Sequence, residues 1–193
     1  MEVRVKICGL TRPQDAILAE ELGADAIGVV VFSDSPRNVS AERAEEIFSS
    51  VGPFLSTVAV THTGSAMNLL RILALNPDAI QISHGFSGVQ NVKIIRVLTP
   101  SDPLRADCNA VVIDGSRGKG IPFDWEYARQ TIQNSTVPVI LAGGLDPSNV
   151  REAIDYLRPY AVDVASGVES APGIKDPEKM EKFLRAVRDR EDL

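Results

Sequence analysis

Eight short runs rich in Val and Ile recur along the chain, and most are followed by a segment of helical character before the next run begins. The runs are VRVKIC (3–8), DAIGVVV (25–31), FLSTVAV (54–60), AIQIS (79–83), VKIIRV (92–97), AVVID (110–114), VPVILA (137–142) and AVDVAS (161–166). Between them lie PQDAILAEELG, SAERAEEIFSS, GSAMNLLRILALN, FDWEYARQTIQ and PSNVREAIDYLRP, and DPEKMEKFLRAVRDR follows the last. Strands that alternate with helices pair in parallel through right-handed crossovers, because a parallel neighbour needs a long connection and the helix covers the sheet face. Eight repeats predict a (β/α)₈ barrel of the TIM type, one domain over residues 1–193, with short or irregular connections after the fourth and fifth strands. At 193 residues the helices and loops of such a barrel must be minimal. An open doubly wound sheet is the competing arrangement, but no G-x-G-x-x-G follows the first strand to mark a dinucleotide site.

Alternate residues of a strand face opposite sides. Val3, Val5 and Ile7 are therefore expected beneath the helices, with Arg4, Lys6 and Cys8 inside the barrel. By the same alternation Val111 and Ile113 face outward and Ala110, Val112 and Asp114 inward, while Asp163 points inward between Val162 and Val164. Active sites of such barrels lie at the C-terminal strand ends, which directs attention to Cys8 and Asp114. The first and sixth strands are three steps apart around the ring, so a thiol and a carboxyl group face each other across a gap that fits a sugar-sized molecule. Such a pair suits a reaction that removes a proton on one side and supplies one on the other. Lys6, two residues before Cys8 on the same face, is expected to favour the thiolate. Against this stands the common fate of a lone cysteine, an inert buried thiol, and Asp114 before Gly115 also reads as a turn residue.

The segments VILAGGLDPSNV (139–150) and VASGVESAPGIKD (164–176) place Gly143, Gly144, Ser166 and Gly167 after the seventh and eighth strands. Glycine there lets an anion approach backbone N–H groups, the usual way such barrels hold a phosphate. The glycine-rich GSRGKG (115–120) lacks the G-x-x-x-x-G-K-[ST] frame and reads as a mobile loop over the mouth. VFSDSPRNVS (31–40) sets Arg37 in a loop at the same mouth, where a guanidinium could grip a carboxylate in bidentate fashion. Composition alone makes Arg37 a solvated surface residue.

Charge and composition narrow the partners. A formal net charge of −6 and a pI near 5.0 argue against nucleic acid or an anionic membrane, both of which demand clustered positive charge. No apolar run approaches the roughly 20 residues that span a bilayer, and no signal peptide opens the chain, so the expected location is the cytoplasm. Cys8 and Cys108 have no C-x-x-C spacing and His62 and His84 no H-E-x-x-H pattern, so no metal is expected. Monomer and homodimer are both compatible with the sequence.

Read together and in order, KICGLT, VFSDSPR, ILAGGLDPSNV, VDVASGVE and PGIKD resemble phosphoribosylanthranilate isomerase of tryptophan biosynthesis. The resemblance implies an Amadori rearrangement of N-(5-phosphoribosyl)anthranilate that needs no cofactor. It makes Cys8 the general base and Asp114 the general acid, has Arg37 hold the anthranilate carboxylate, and assigns the phosphate to the backbone around Gly144, Ser166 and Gly167. Lys6, Gln81 and Asp163 are further candidates, as is His84, which stands one residue later in QISHG than in the family's Q-L-H-G. GSRGKGIPFDW replaces the family's G-G-T-G-x-x-F-D-W, and VAVTH its V-F-V-N. Two other readings compete: a phosphoribosyl aminoimidazole isomerase of the histidine pathway, whose barrels typically use two aspartates, and a catalytically silent barrel that binds a phosphosugar.

Overall fold

A computed structural model describes residues 2–83, 91–99, 102–103, 107–114 and 124–188. The eight predicted strands form as β1 (Arg4–Cys8), β2 (Ala26–Val31), β3 (Ser56–Thr61), β4 (Ala79–Ile82), β5 (Lys93–Leu98), β6 (Ala110–Asp114), β7 (Val139–Ala142) and β8 (Ala161–Val164). Each pairs in parallel with its successor, and β1 pairs with β2 on one side and β8 on the other, so the sheet closes into a barrel. The open-sheet alternative is thereby removed.

Among the described residues six helices cover it: α1 (Pro13–Glu21), α2 (Ala41–Ser49), α3 (Ala66–Ala74), α4 (Trp125–Asn134), α5 (Val150–Leu157) and α6 (Pro177–Arg188). Their starts follow local chemistry. Pro13 opens α1, where its missing N–H is no loss. Ser40, Ser65 and Asp124 cap α2, α3 and α4 by accepting from the backbone N–H groups of Arg43, Asn68 and Tyr127. Strand bounds differ from the reading by a residue or two for equally local reasons: β3 starts at Ser56 because Phe54 is 99% exposed, and β7 begins after Pro138, which has no N–H to give a ladder. No helix occurs among the described residues between β4 and β6, and most of the two connections expected to be short or irregular lies outside the described residues. Among the described residues no helix is long and apolar enough to cross a membrane.

The alternation read from the strands separates two cores. Val5, Ile7, Val111, Ile113, Val162 and Val164 join Ala16, Ile47, Ile72, Met180 and Phe183 of the helices in the outer layer. Cys8, Val30, Val58, Val60, Ala110, Val112, Ile140 and Ala161 form a second cluster inside the barrel. The inner layer is small and partly polar, with Lys6, Gln81 and Asp163 buried beside it. That polarity sits directly under the C-terminal mouth.

Two short pieces complete the mouth. Asn38–Val39 adds a parallel two-residue strand to the end of β2, with Val30 opposite Asn38, and this anchors Arg37 at the C-terminal rim. Beyond a 3₁₀ turn at Ser166–Val168, Glu169–Ala171 and Ile174–Lys175 form an antiparallel hairpin that pairs Glu169 with Lys175.

Candidate active site

Cys8 and Asp114 end β1 and β6. Cys8 belongs to the inner cluster, and Asp114 shares inward parity with Ala110 and Val112 of that cluster. Both therefore stand at the mouth on strands three steps apart.

Behind Cys8 lies a buried ion pair. Lys6 Nζ donates to Asp163 Oδ2 at 2.8 Å and to Gln81 Oε1 at 2.9 Å, and both members of the pair are under 10% exposed. Asp163 Oδ1 has no hydrogen-bond partner among the described residues. Gly28 of β2 makes room for this cluster: a Cβ there would lie 2.7 Å from Cys8 Sγ and 3.2 Å from Lys6 Nζ. A glycine inside a strand often marks such a close approach, so DAIGVVV carried the signal for a residue that the sequence reading passed over.

The electrostatic expectation for Cys8 needs correction. Burial pushes the thiol above its ordinary value, and the Asp163 charge adds to this. Lys6 and Lys175 pull the other way without prevailing. The lysine that was to favour the thiolate is largely neutralised by its own carboxylate partner. In a Cys108→Ser background, the rate of Cys8 alkylation by iodoacetamide is therefore expected to climb with pH to a midpoint above that of an ordinary cysteine. A midpoint at or below the ordinary value would contradict this balance.

Arg37 also departs from the surface residue that composition indicates. Its Nε and Nη2 donate to Glu169 Oε1 and Oε2 at 2.8 and 2.7 Å, and its stem lies so close over Gly9 that a Cβ there would stand 2.5 Å from Arg37 Cδ. Glu169 in turn accepts from Lys175 Nζ at 2.9 Å and from the Gly173 N–H at 3.2 Å. Burial alone would push the Glu169 carboxyl up, but hydrogen bonds from Arg37 and Lys175 outweigh it and hold the group below the usual carboxylate range. Neither Glu169 nor Lys175 was singled out from sequence, although a Pro-Gly turn between opposite charges in ESAPGIK is a hairpin signal.

The two glycine-bearing loops meet. Gly143 and Gly144 both take positive φ, at 91° and 68°, conformations that glycine adopts without strain. Asn149 Nδ2 donates to the Gly144 carbonyl at 2.8 Å and shapes that loop. A Cβ on Gly167 would lie 1.9 Å from the Leu145 carbonyl oxygen, so the β8 loop touches the β7 loop backbone to backbone. Ser166 stands at the start of this turn. His84 and the 115–120 loop lie outside the described residues.

This arrangement has close counterparts. The family model for N-(5'-phosphoribosyl)anthranilate isomerase matches residues 5–186. The chain belongs to this family. An N-(5'-phosphoribosyl)anthranilate isomerase of Methanoregula boonei is 53% identical over 97% of both chains, and that of Methanopyrus kandleri is 42% identical over 96% of this chain and 99% of its own. The crystal structure of phosphoribosyl anthranilate isomerase from Thermus thermophilus superposes with a TM-score of 0.86 at 34% identity, covering 96% of this chain and 98% of the other. Another isomerase, solved in complex with reduced 1-(o-carboxyphenylamino)-1-deoxyribulose 5-phosphate, superposes at 0.81 with 30% identity and the same coverage.

Proposed function

We propose that this chain isomerises N-(5-phosphoribosyl)anthranilate to 1-(o-carboxyphenylamino)-1-deoxyribulose 5-phosphate in tryptophan biosynthesis, with Asp114 as general acid and Cys8 as general base. The observation that carries this reading is the inward placement of both groups at the C-terminal ends of β1 and β6. Asp114 donates a proton to the furanose ring oxygen while the anilino nitrogen lone pair forms the C1 imine and the C1–O bond breaks. The Cys8 thiolate removes the proton from C2, and the C–H electrons become the C1–C2 double bond as the iminium nitrogen is neutralised. Tautomerisation of this enolamine leaves the ketone at C2. Because burial holds the Cys8 thiol protonated over a wider pH range than usual, only its deprotonated fraction carries out this step, so turnover is expected to rise with pH.

The phosphate is assigned to the paired loops that carry Gly143, Gly144, Ser166 and Gly167, where backbone N–H groups offer donors to an anion. Arg37 is assigned the anthranilate carboxylate. The conversion of fresh N-(5-phosphoribosyl)anthranilate, followed by anthranilate fluorescence, tests the reaction: a purified protein that leaves the emission unchanged refutes it. Gly167→Ala tests the anion site. The new methyl group overlaps the Leu145 carbonyl, so the two loops must part, and binding of reduced product is expected to weaken together with a fall in Tm. Unaltered affinity would place the phosphate elsewhere.

A further inference from the structure

We infer that Glu169 is a positioning residue for the reaction: with Lys175 behind it, it turns the Arg37 guanidinium so that its outer edge is presented to the carboxylate of the substrate's aromatic ring. The inference rests on the assignment of Arg37 to that carboxylate.

A guanidinium offers five N–H donors along two usable edges. In Arg37 the side edge, Nε with one N–H of Nη2, is spent on Glu169 through two parallel bonds. The end edge retains the remaining N–H of Nη2 and one of Nη1, and Nη1 donates to no described residue. A fork held by two bonds has its plane set, so the end edge is aimed before a ligand arrives. Its stem passes over Gly9, the residue that follows Cys8.

The support behind Glu169 is rigid. Its carboxylate is 5% exposed, and Lys175, whose side chain is fully buried, binds Glu169 Oε1 while also donating to the Ala165 carbonyl at 2.9 Å. Lys179 Nζ donates to the Glu169 carbonyl at 2.8 Å, and Thr11 Oγ1 to the Gly173 carbonyl at 2.6 Å. The hairpin thereby joins the loops after β1, β2 and β8. Charge completes the argument: two cations share one carboxylate, so the Arg37–Glu169–Lys175 triad holds one positive charge in excess at a partly shielded site, where it favours a carboxylate ligand. A purely structural ion pair needs neither the surplus cation nor a guanidinium side chain left 22% exposed.

The test compares two stable ligands, reduced product and the same molecule lacking the ring carboxylate, bound to wild type, Glu169→Gln, Arg37→Lys and Arg37→Ala. Glu169→Gln is expected to weaken the carboxylate ligand by about tenfold or more, the scale of a charged hydrogen bond, and to leave the carboxylate-free ligand unchanged. Arg37→Lys keeps the charge but has no fork to orient, so it is expected to lose the preference nearly as fully as Arg37→Ala. It also leaves Glu169 and Lys175 intact, which makes it informative even where Glu169→Gln folds poorly. Equal weakening of both ligands by Glu169→Gln, no effect on either, or a full preference retained in Arg37→Lys overturns the inference. If Arg37→Ala keeps the preference, the assignment of Arg37 itself falls and the role of Glu169 with it. If Arg37→Ala abolishes the preference while Glu169→Gln preserves it, only the role of Glu169 falls.

Discussion

Cys8→Ala is expected to lower kcat by roughly 10²–10⁴-fold, the usual contribution of a positioned acid or base, while affinity for the reduced product stays near that of wild type. The sulfur is asked only to take the C2 proton, and the reduced product has no proton to give it in that sense, so turnover and binding separate. Asp114→Asn is expected to fall by a similar factor through the other half of the reaction, since the amide cannot protonate the ring oxygen. Steady-state turnover followed by fluorescence, paired with calorimetric binding, checks both. Near-normal turnover in either variant removes that residue from its role, and a parallel loss of binding would instead mark it as part of the pocket wall.

Asp163→Ala is expected to be the most destabilising single change at the site. It leaves Lys6 Nζ, with a side chain only 4% exposed, as a buried cation whose carboxylate is gone, an arrangement that costs about 3–5 kcal/mol. For a chain of this size each kcal/mol lowers Tm by roughly 2–4 °C. The pH dependence has a definite sign. In the native protein burial works against the Lys6 charge, but Asp163 and Cys8 outweigh it and hold the group above its ordinary 10.5. The pair's stabilisation is thus complete below pH 10.5 and is lost as pH climbs through the raised native value. In the variant burial prevails, the native value drops below the unfolded one, and the unfolded chain binds more protons in between. Its deficit should accordingly be largest near neutrality and shrink as pH approaches 10.5. Thermal melts at several pH values measure this, and a deficit that grows with pH would show that Lys6 is not charged in the native protein.

Much of the barrel was legible in one dimension. Strand periodicity places Val5 and Ile7 outside and Lys6 and Cys8 inside because the pleat leaves no other option, and serine, aspartate or proline at helix starts acts within a few residues. The same locality made Cys8, Asp114 and the paired glycines conspicuous, since each terminates or follows a strand. The surroundings of Arg37 and Lys6 were not legible in the sequence for one shared reason. Their partners, Glu169 and Asp163, lie 132 and 157 residues away, and a solvated arginine and a lysine free to stabilise a thiolate are the natural readings when those partners are out of view.

Local alternation of side chains and the recurrence of strand and helix thus specify the barrel, its inner and outer faces and the rim where chemistry is placed, because these depend on backbone geometry over a few residues. Closure of β1 against β8 and the fold-back of the 169–175 hairpin decide which charges neutralise one another, hence why the Cys8 thiol sits high and why Arg37 is clamped rather than solvated. Electrostatic balance is set by distance and burial, and both come into being only when remote segments of the chain are brought together.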